Sequence, residues 1–281
     1  MMNLRYSLLL LLIISFIGCK TESENKEIKD DAKSALNEEV KLLGEEITYK
    51  TDSTNLKGYI VYDENLKNKR PGILVVHEWW GHDEFARQKA DELAELGYVA
   101  LAVDMYGEGK KAKHPEEAMT FSSSVMKNFD TAKQRFLVAI ETLKKNEFVN
   151  VEDISAIGFC FGGSVSLAMA NSGVDLDGVA VFHSGISLPV MPNETLKAKI
   201  LVQNGADDVM ITNEQVQKFK SQLDSINADY EYIAYEGVKH SFTNKAADSI
   251  AKQYNLPLAY DQKAAEQSWQ KMTEFFEEIY K

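Results

Sequence analysis

The sequence predicts an α/β fold, a mostly parallel, doubly wound sheet covered by helices on both faces. Three observations predict it: short apolar runs that recur along the chain, segments of helical period between them, and glycines where one gives way to the other. A strand buried on both faces is apolar throughout, whereas a helix lying on a sheet needs only one apolar stripe. Alternation of the two requires crossover connections, and these make neighbouring strands parallel.

The first strands depart from that pattern. Ile47 and Tyr49 alternate with polar residues, Asp52-Ser53-Thr54-Asn55 turns the chain, and residues 56–62 return as the second arm of a β-hairpin. After Pro71, Ile73-Leu74-Val75-Val76 is the first fully apolar run. Phe85, residues 87–90, Leu93 and Ala94 follow at helical spacing, and Gly97 stops that helix. Residues 98–103 are the next strand. Ala132, Phe136, Ala139, Ile140 and Leu143 then mark a long helix, and residues 154–157 another strand. A helix over 163–170, strands over Gly178–Phe182 and 200–203, a helix over 213–223 and a strand over Tyr230–Tyr235 continue the alternation. In the last helix Ala265, Trp269, Met272, Phe276 and Ile279 recur in steps of four and three, a stripe facing a core.

The chain has 281 residues and a net charge of −12, with 43 acidic against 31 basic side chains. A surface this acidic repels phosphate backbones, so nucleic acid is not an expected partner. Arg5 precedes an apolar run over residues 8–14 that is too short to span a bilayer, and Phe16-Ile17-Gly18-Cys19 resembles the bacterial lipobox. We read residues 1–18 as a signal peptide and Cys19 as a lipidated first residue. Residues 19–44 form a polar tether, with one short helix expected around 32–43, and residues 45–281 form a single folded domain. The expected location is the bacterial cell envelope, lipid-anchored to the membrane, with the domain a monomer. Only two cysteines are present, so lipidation of Cys19 leaves Cys160 without a disulfide partner.

Gly158-Phe159-Cys160-Phe161-Gly162-Gly163 lies where a strand gives way to a helix. A Gly-x-nucleophile-x-Gly run in that position is a nucleophile elbow, a turn so tight that its flanks need glycine. It lifts the central side chain above the sheet and onto a helix N-terminus, where partial positive charge favours a thiolate. An elbow of this kind expects an acid and then a histidine further along. Asp207 and Asp208 both follow the strand over 200–203, with Asp208 better spaced and Asp207 the plainer loop residue; His240 follows the strand Tyr230–Tyr235.

His77-Glu78-Trp79-Trp80-Gly81-His82 follows an apolar strand. Its histidines are five apart and would not share a helical face, so no metal site is expected, and no cofactor motif is recognised. The position suits the loop that gives the second oxyanion-hole amide, which makes the backbone N–H groups of Trp79 and Phe161 the two donors.

Cys160 in its elbow, Glu78 before the oxyanion residue, Asp104-Met105-Tyr106-Gly107, Asp208 and His240-Ser241-Phe242 together resemble the dienelactone hydrolase family, from about residue 56 to the C-terminus. The resemblance implies an α/β-hydrolase fold and a carboxylic ester hydrolase of the carboxymethylenebutenolidase type. It implies attack by Cys160 on an ester, lactone or thioester carbonyl, with a thioester intermediate. Glu78 would accept the thiol proton, His240 would protonate the leaving group and activate water, and Asp208 would orient His240. The family's arginine shortly after the histidine is replaced here by Ser241, Phe242, Thr243 and Asn244, which argues against dienelactone itself. Tyr106, Trp80 and His183 are the expected substrate-binding side chains. Two alternatives are a serine-type esterase using Ser164 or Ser166, and a membrane-tethered binding protein that kept the fold and lost turnover.

Overall fold

The computed structural model describes residues 39–51 and 53–281. The expected signal peptide, Cys19 and the tether through residue 38 lie outside the described residues. Among the described residues no helix is long and apolar enough to cross a membrane.

Eight strands form one sheet: β1 (Leu42–Lys50), β2 (Asn55–Asp63), β3 (Arg70–Val76), β4 (Val99–Val103), β5 (Val149–Phe159), β6 (Gly178–Phe182), β7 (Lys199–Gly205) and β8 (Tyr230–Tyr235). Their spatial order is β1-β2-β4-β3-β5-β6-β7-β8. β1 and β2 are the antiparallel hairpin the alternating residues predicted, and β2 also runs antiparallel to β4. From β4 to β8 every pairing is parallel, as fully apolar strands require. β1 starts before the expected boundary at 45, so Leu42 and Leu43 belong to a strand and not to a helix end.

Seven helices are described: α1 (Glu84–Glu95), α2 (Pro115–Lys127), α3 (Phe129–Leu143), α4 (Phe161–Asn171), α5 (Asn213–Ser225), α6 (Ala247–Tyr254) and α7 (Gln262–Ile279). Successive strand residues point to opposite faces, so β3 splits its run between two cores. Leu74 and Val76 pack with Phe136, Ile140 and Met169 from α3 and α4. Ile73 and Val75 pack with Ala90 and Leu93 of α1 and with Met272 and Phe276 of α7.

The sequence did not announce α2 or α6. In α2 only Ala118 and Val125 are buried, too few to give a readable stripe, although His114, Pro115 and two glutamates mark its start. α6 buries only Ala247.

At the carboxyl end of β5 the chain turns directly into α4. Cys160 adopts φ 52° and ψ −114°, a backbone region that side chains rarely enter. Its neighbours explain how the turn closes. A Cβ on Gly158 would meet the Gly162 carbonyl oxygen at 2.3 Å, and one on Gly162 would meet that of Val76 at 2.2 Å. Only glycine lets α4 start this close to β3 and β5.

Candidate active site

Cys160, His240 and Asp208 come from three separate strand ends and meet at one edge of the sheet. β5 delivers Cys160, the turn after β7 delivers Asp208, and the loop after β8 delivers His240. His240 Nδ1 and Asp208 Oδ2 are 2.7 Å apart, and both residues are buried. Asp208 Oδ1 accepts from the backbone N–H of Met210 at 2.9 Å, so the carboxylate cannot swing away from the imidazole. Asp207, by contrast, is exposed.

Nε2 of His240 is buried without a hydrogen-bond partner. Cys160 lies close enough to act on the ring directly. Burial alone would lower the imidazole; the charge that Cys160 carries once it is a thiolate, and then the bond to Asp208, outweigh it and hold His240 up at about 10, so the ring keeps a proton as long as the sulfur is ionised.

The half-buried Cys160 opens into a cavity of about 300 Å³. Trp79, Phe161, Met126 and Ile211 give it apolar walls, and Ser122 and Ser123 of α2 give it hydroxyls. Among the described residues lining it there is no lysine, arginine or carboxylate. The backbone N–H groups of Trp79 and Phe161 donate to no protein acceptor among the described residues. Two free amides beside a nucleophile can hold a developing oxyanion.

Glu78 is buried, but its carboxylate is turned to the loop after His240. Oε1 accepts from the Ser241 hydroxyl at 3.0 Å, and Oε2 from the Asn244 amide at 2.6 Å. Burial, reinforced by the charge of Asp83, raises its carboxyl to about 7 against the pull of those two donors. Ser241 reaches Glu78 from a left-handed backbone, φ 59°.

None of the three side chains expected to bind substrate is among the residues lining the Cys160 cavity. Tyr106 is buried outside the cavity lining and donates to the Trp79 carbonyl at 2.8 Å, because a buried phenol needs an acceptor. Its turn is anchored by Asp104, whose carboxylate accepts four backbone N–H groups, from Tyr106, Gly107, Gly109 and Lys57. Trp80 packs edge-on against Trp79 and faces a different cavity. His183 lies behind His240, its ring edge-on at 5.2 Å and its Nε2 within 2.8 Å of the Thr243 hydroxyl. Burial, and then the neighbouring His240, push His183 well below the ordinary histidine range, so it stays neutral.

His77 is also neutral, pulled down by burial, and accepts at Nε2 from the Met105 N–H at 3.2 Å. Among the described residues no three histidine, cysteine or carboxylate side chains cluster as metal ligands would. Ser164 donates to the Gly185 carbonyl at 2.8 Å and Ser166 to that of Gly162 at 2.9 Å, neither at the elbow apex.

A family model described as the dienelactone hydrolase family matches residues 56–280. Protein usf of Aquifex pyrophilus is 26% identical over 241 residues, covering 84% of this chain and 99% of that protein. Among solved structures, the dienelactone hydrolase-like promiscuous phosphotriesterase P91 from metagenomic libraries is 28% identical with a TM-score of 0.79. That match covers 85% of this chain and 99% of P91. A structure named m3DLH is 29% identical with a TM-score of 0.80, over 85% of this chain and 99% of its own.

Proposed function

Because the chain belongs to the dienelactone hydrolase family, we propose that it hydrolyses a small uncharged ester, lactone or thioester through an acyl-thioester on Cys160. The observation that carries this reading is the 2.7 Å contact of His240 with Asp208, which leaves the unpartnered Nε2 beside the elbow cysteine.

His240 Nε2 takes the thiol proton as the sulfur attacks the carbonyl carbon. The carbonyl π electrons move onto oxygen, where the amides of Trp79 and Phe161 hold the charge. Collapse re-forms the C=O bond and breaks the bond to the leaving group, which departs with the proton from His240. Water then attacks the thioester, giving its proton to His240, and the thiol regains a proton as it leaves. Asp208 accepts from Nδ1–H throughout, fixing the tautomer and stabilising the cation. Both Glu78 oxygens are engaged by Ser241 and Asn244 and neither forms a hydrogen bond to Cys160, so we assign the base to His240. Glu78 then holds the turn that follows it.

A cavity with no charged wall apart from His240 suits a substrate that is neutral near the scissile bond. We further propose that Cys19 carries lipid after loss of residues 1–18, tethering the domain to a membrane of the cell envelope.

Steady-state hydrolysis of a neutral chromogenic ester tests the assignment. Cys160→Ala protein that folds as the parent does should show no turnover above the uncatalysed rate, and retained turnover contradicts it.

A further inference from the structure

Trp79 lines the Cys160 cavity, while Trp80 lines a second cavity of about 570 Å³. Lys111, Lys113 and Lys245 stand in its wall and form no ion pair among the described residues. Of the acidic groups there, Glu92 is held by Lys89 at 2.7 Å, and Asp83 caps α1 by accepting from the Ala86 N–H at 3.3 Å. Four lysines in the wall thus face three carboxylates, Asp83, Glu84 and Glu92, an excess of one positive charge on a chain whose net charge is −12. Cation excess in a concave site of an acidic protein selects anions.

The shape narrows the class further. Trp80 and Tyr254 lie 6.1 Å apart at 31°, forming an aromatic wall, and the Tyr254 hydroxyl is fixed on the Lys113 carbonyl at 3.0 Å. An apolar ring against that wall, with its carboxylate toward the lysines, satisfies both chemistries.

The floor reaches side chains that touch Glu78 and His183. It includes Asn244, whose side-chain amide donates to Glu78 Oε2 at 2.6 Å, and Thr243, whose hydroxyl meets His183. A carboxylate bound over Asn244 takes the second N–H of that amide and so draws on the group that holds Glu78. We propose that this cavity is a second ligand site, for a small ring-bearing carboxylate, and that its occupancy is felt at Glu78 through Asn244. The link to Glu78 rests on the hydrolase reading above, whereas the binding does not.

Protein alkylated at Cys160 with iodoacetamide, titrated with benzoate and followed by tryptophan fluorescence and calorimetry, isolates the binding from catalysis. Saturable binding is expected, weakened about tenfold or more in the Lys111→Ala/Lys245→Ala double variant. In unmodified enzyme, saturating benzoate should change kcat for a neutral ester by about threefold or more with KM unaltered, and not in the double variant. Absence of saturable binding, or equal binding by the double variant, overturns the site. Binding with no change in kcat, or with purely competitive inhibition, overturns the link to Glu78. If the protein hydrolyses nothing, the titration on alkylated protein is still decisive for the site.

Discussion

His240 Nδ1 sits 2.7 Å from Asp208 Oδ2, and neither group has appreciable contact with solvent. Because the other Asp208 oxygen is taken by the Met210 N–H, Oδ2 has His240 as its partner. In the mechanism proposed above, the contact keeps a proton on Nδ1 and leaves Nε2 to accept the proton of Cys160.

Asp208→Asn should lower kcat/KM for a chromogenic ester by about three orders of magnitude, since an amide would stabilise the wrong tautomer and no cation. Asp207→Asn, at an exposed position, should stay within about twofold of the parent. Equal losses in the two variants would place the orienting acid elsewhere.

Glu78 gives a prediction about stability against pH. Burial holds its carboxyl at about 7 against an ordinary 4.5, so the folded chain keeps a proton that the unfolded chain has released. Stability should therefore fall as pH rises from about 4.5 to about 7, by a contribution on the order of 3 kcal/mol at most, and level off above. Glu78→Gln removes that contribution. Urea unfolding of both proteins at about pH 5 and about pH 8 compares the slopes. Parallel slopes would mean that Glu78 is ionised in both states across this range.

Tyr106→Phe leaves the ring packing on His77 and Phe161 but removes the hydrogen bond to the Trp79 carbonyl. One such buried bond contributes about 1 kcal/mol, so kcat should fall about three- to tenfold as the Trp79 amide loses its fixed position. KM should change little, because Tyr106 does not line the cavity. A rise in KM at constant kcat would make it a substrate-binding residue after all.

What the sequence disclosed about the site was what lies close along the chain. The glycines of the elbow are within a few positions of Cys160, and the spacing after β7 favoured Asp208 over Asp207. Glu78, however, meets partners more than 160 positions away, and nothing in the sequence near either end announces that Ser241 and Asn244 will hold it. The missing arginine after His240 was visible; that the residues in its place bind a carboxylate of this same chain was not. Trp79 and Trp80 read alike as aromatic residues beside a strand end, and only the turn of the backbone assigns them to different cavities. α2 escaped notice because it buries few apolar residues, and Ser122, Ser123 and Met126 of the cavity wall went unforeseen with it.

Cys19→Ser should move the protein from the membrane fraction of its host to the soluble fraction, since the acyl chains and their cleavage signal are lost together. Fractionation of both proteins from the same cells measures it. A parent protein that is soluble and unlipidated would contradict the anchor.

The most direct measurement is the mass of the acid-quenched protein during the first turnover of 4-nitrophenyl acetate, followed by peptide mapping. The account predicts one acetyl group, on the peptide carrying Cys160, released by hydroxylamine as a thioester is. An acetyl group mapped to Ser164, Ser166 or any other residue, or turnover in which Cys160 is never acylated, would contradict it.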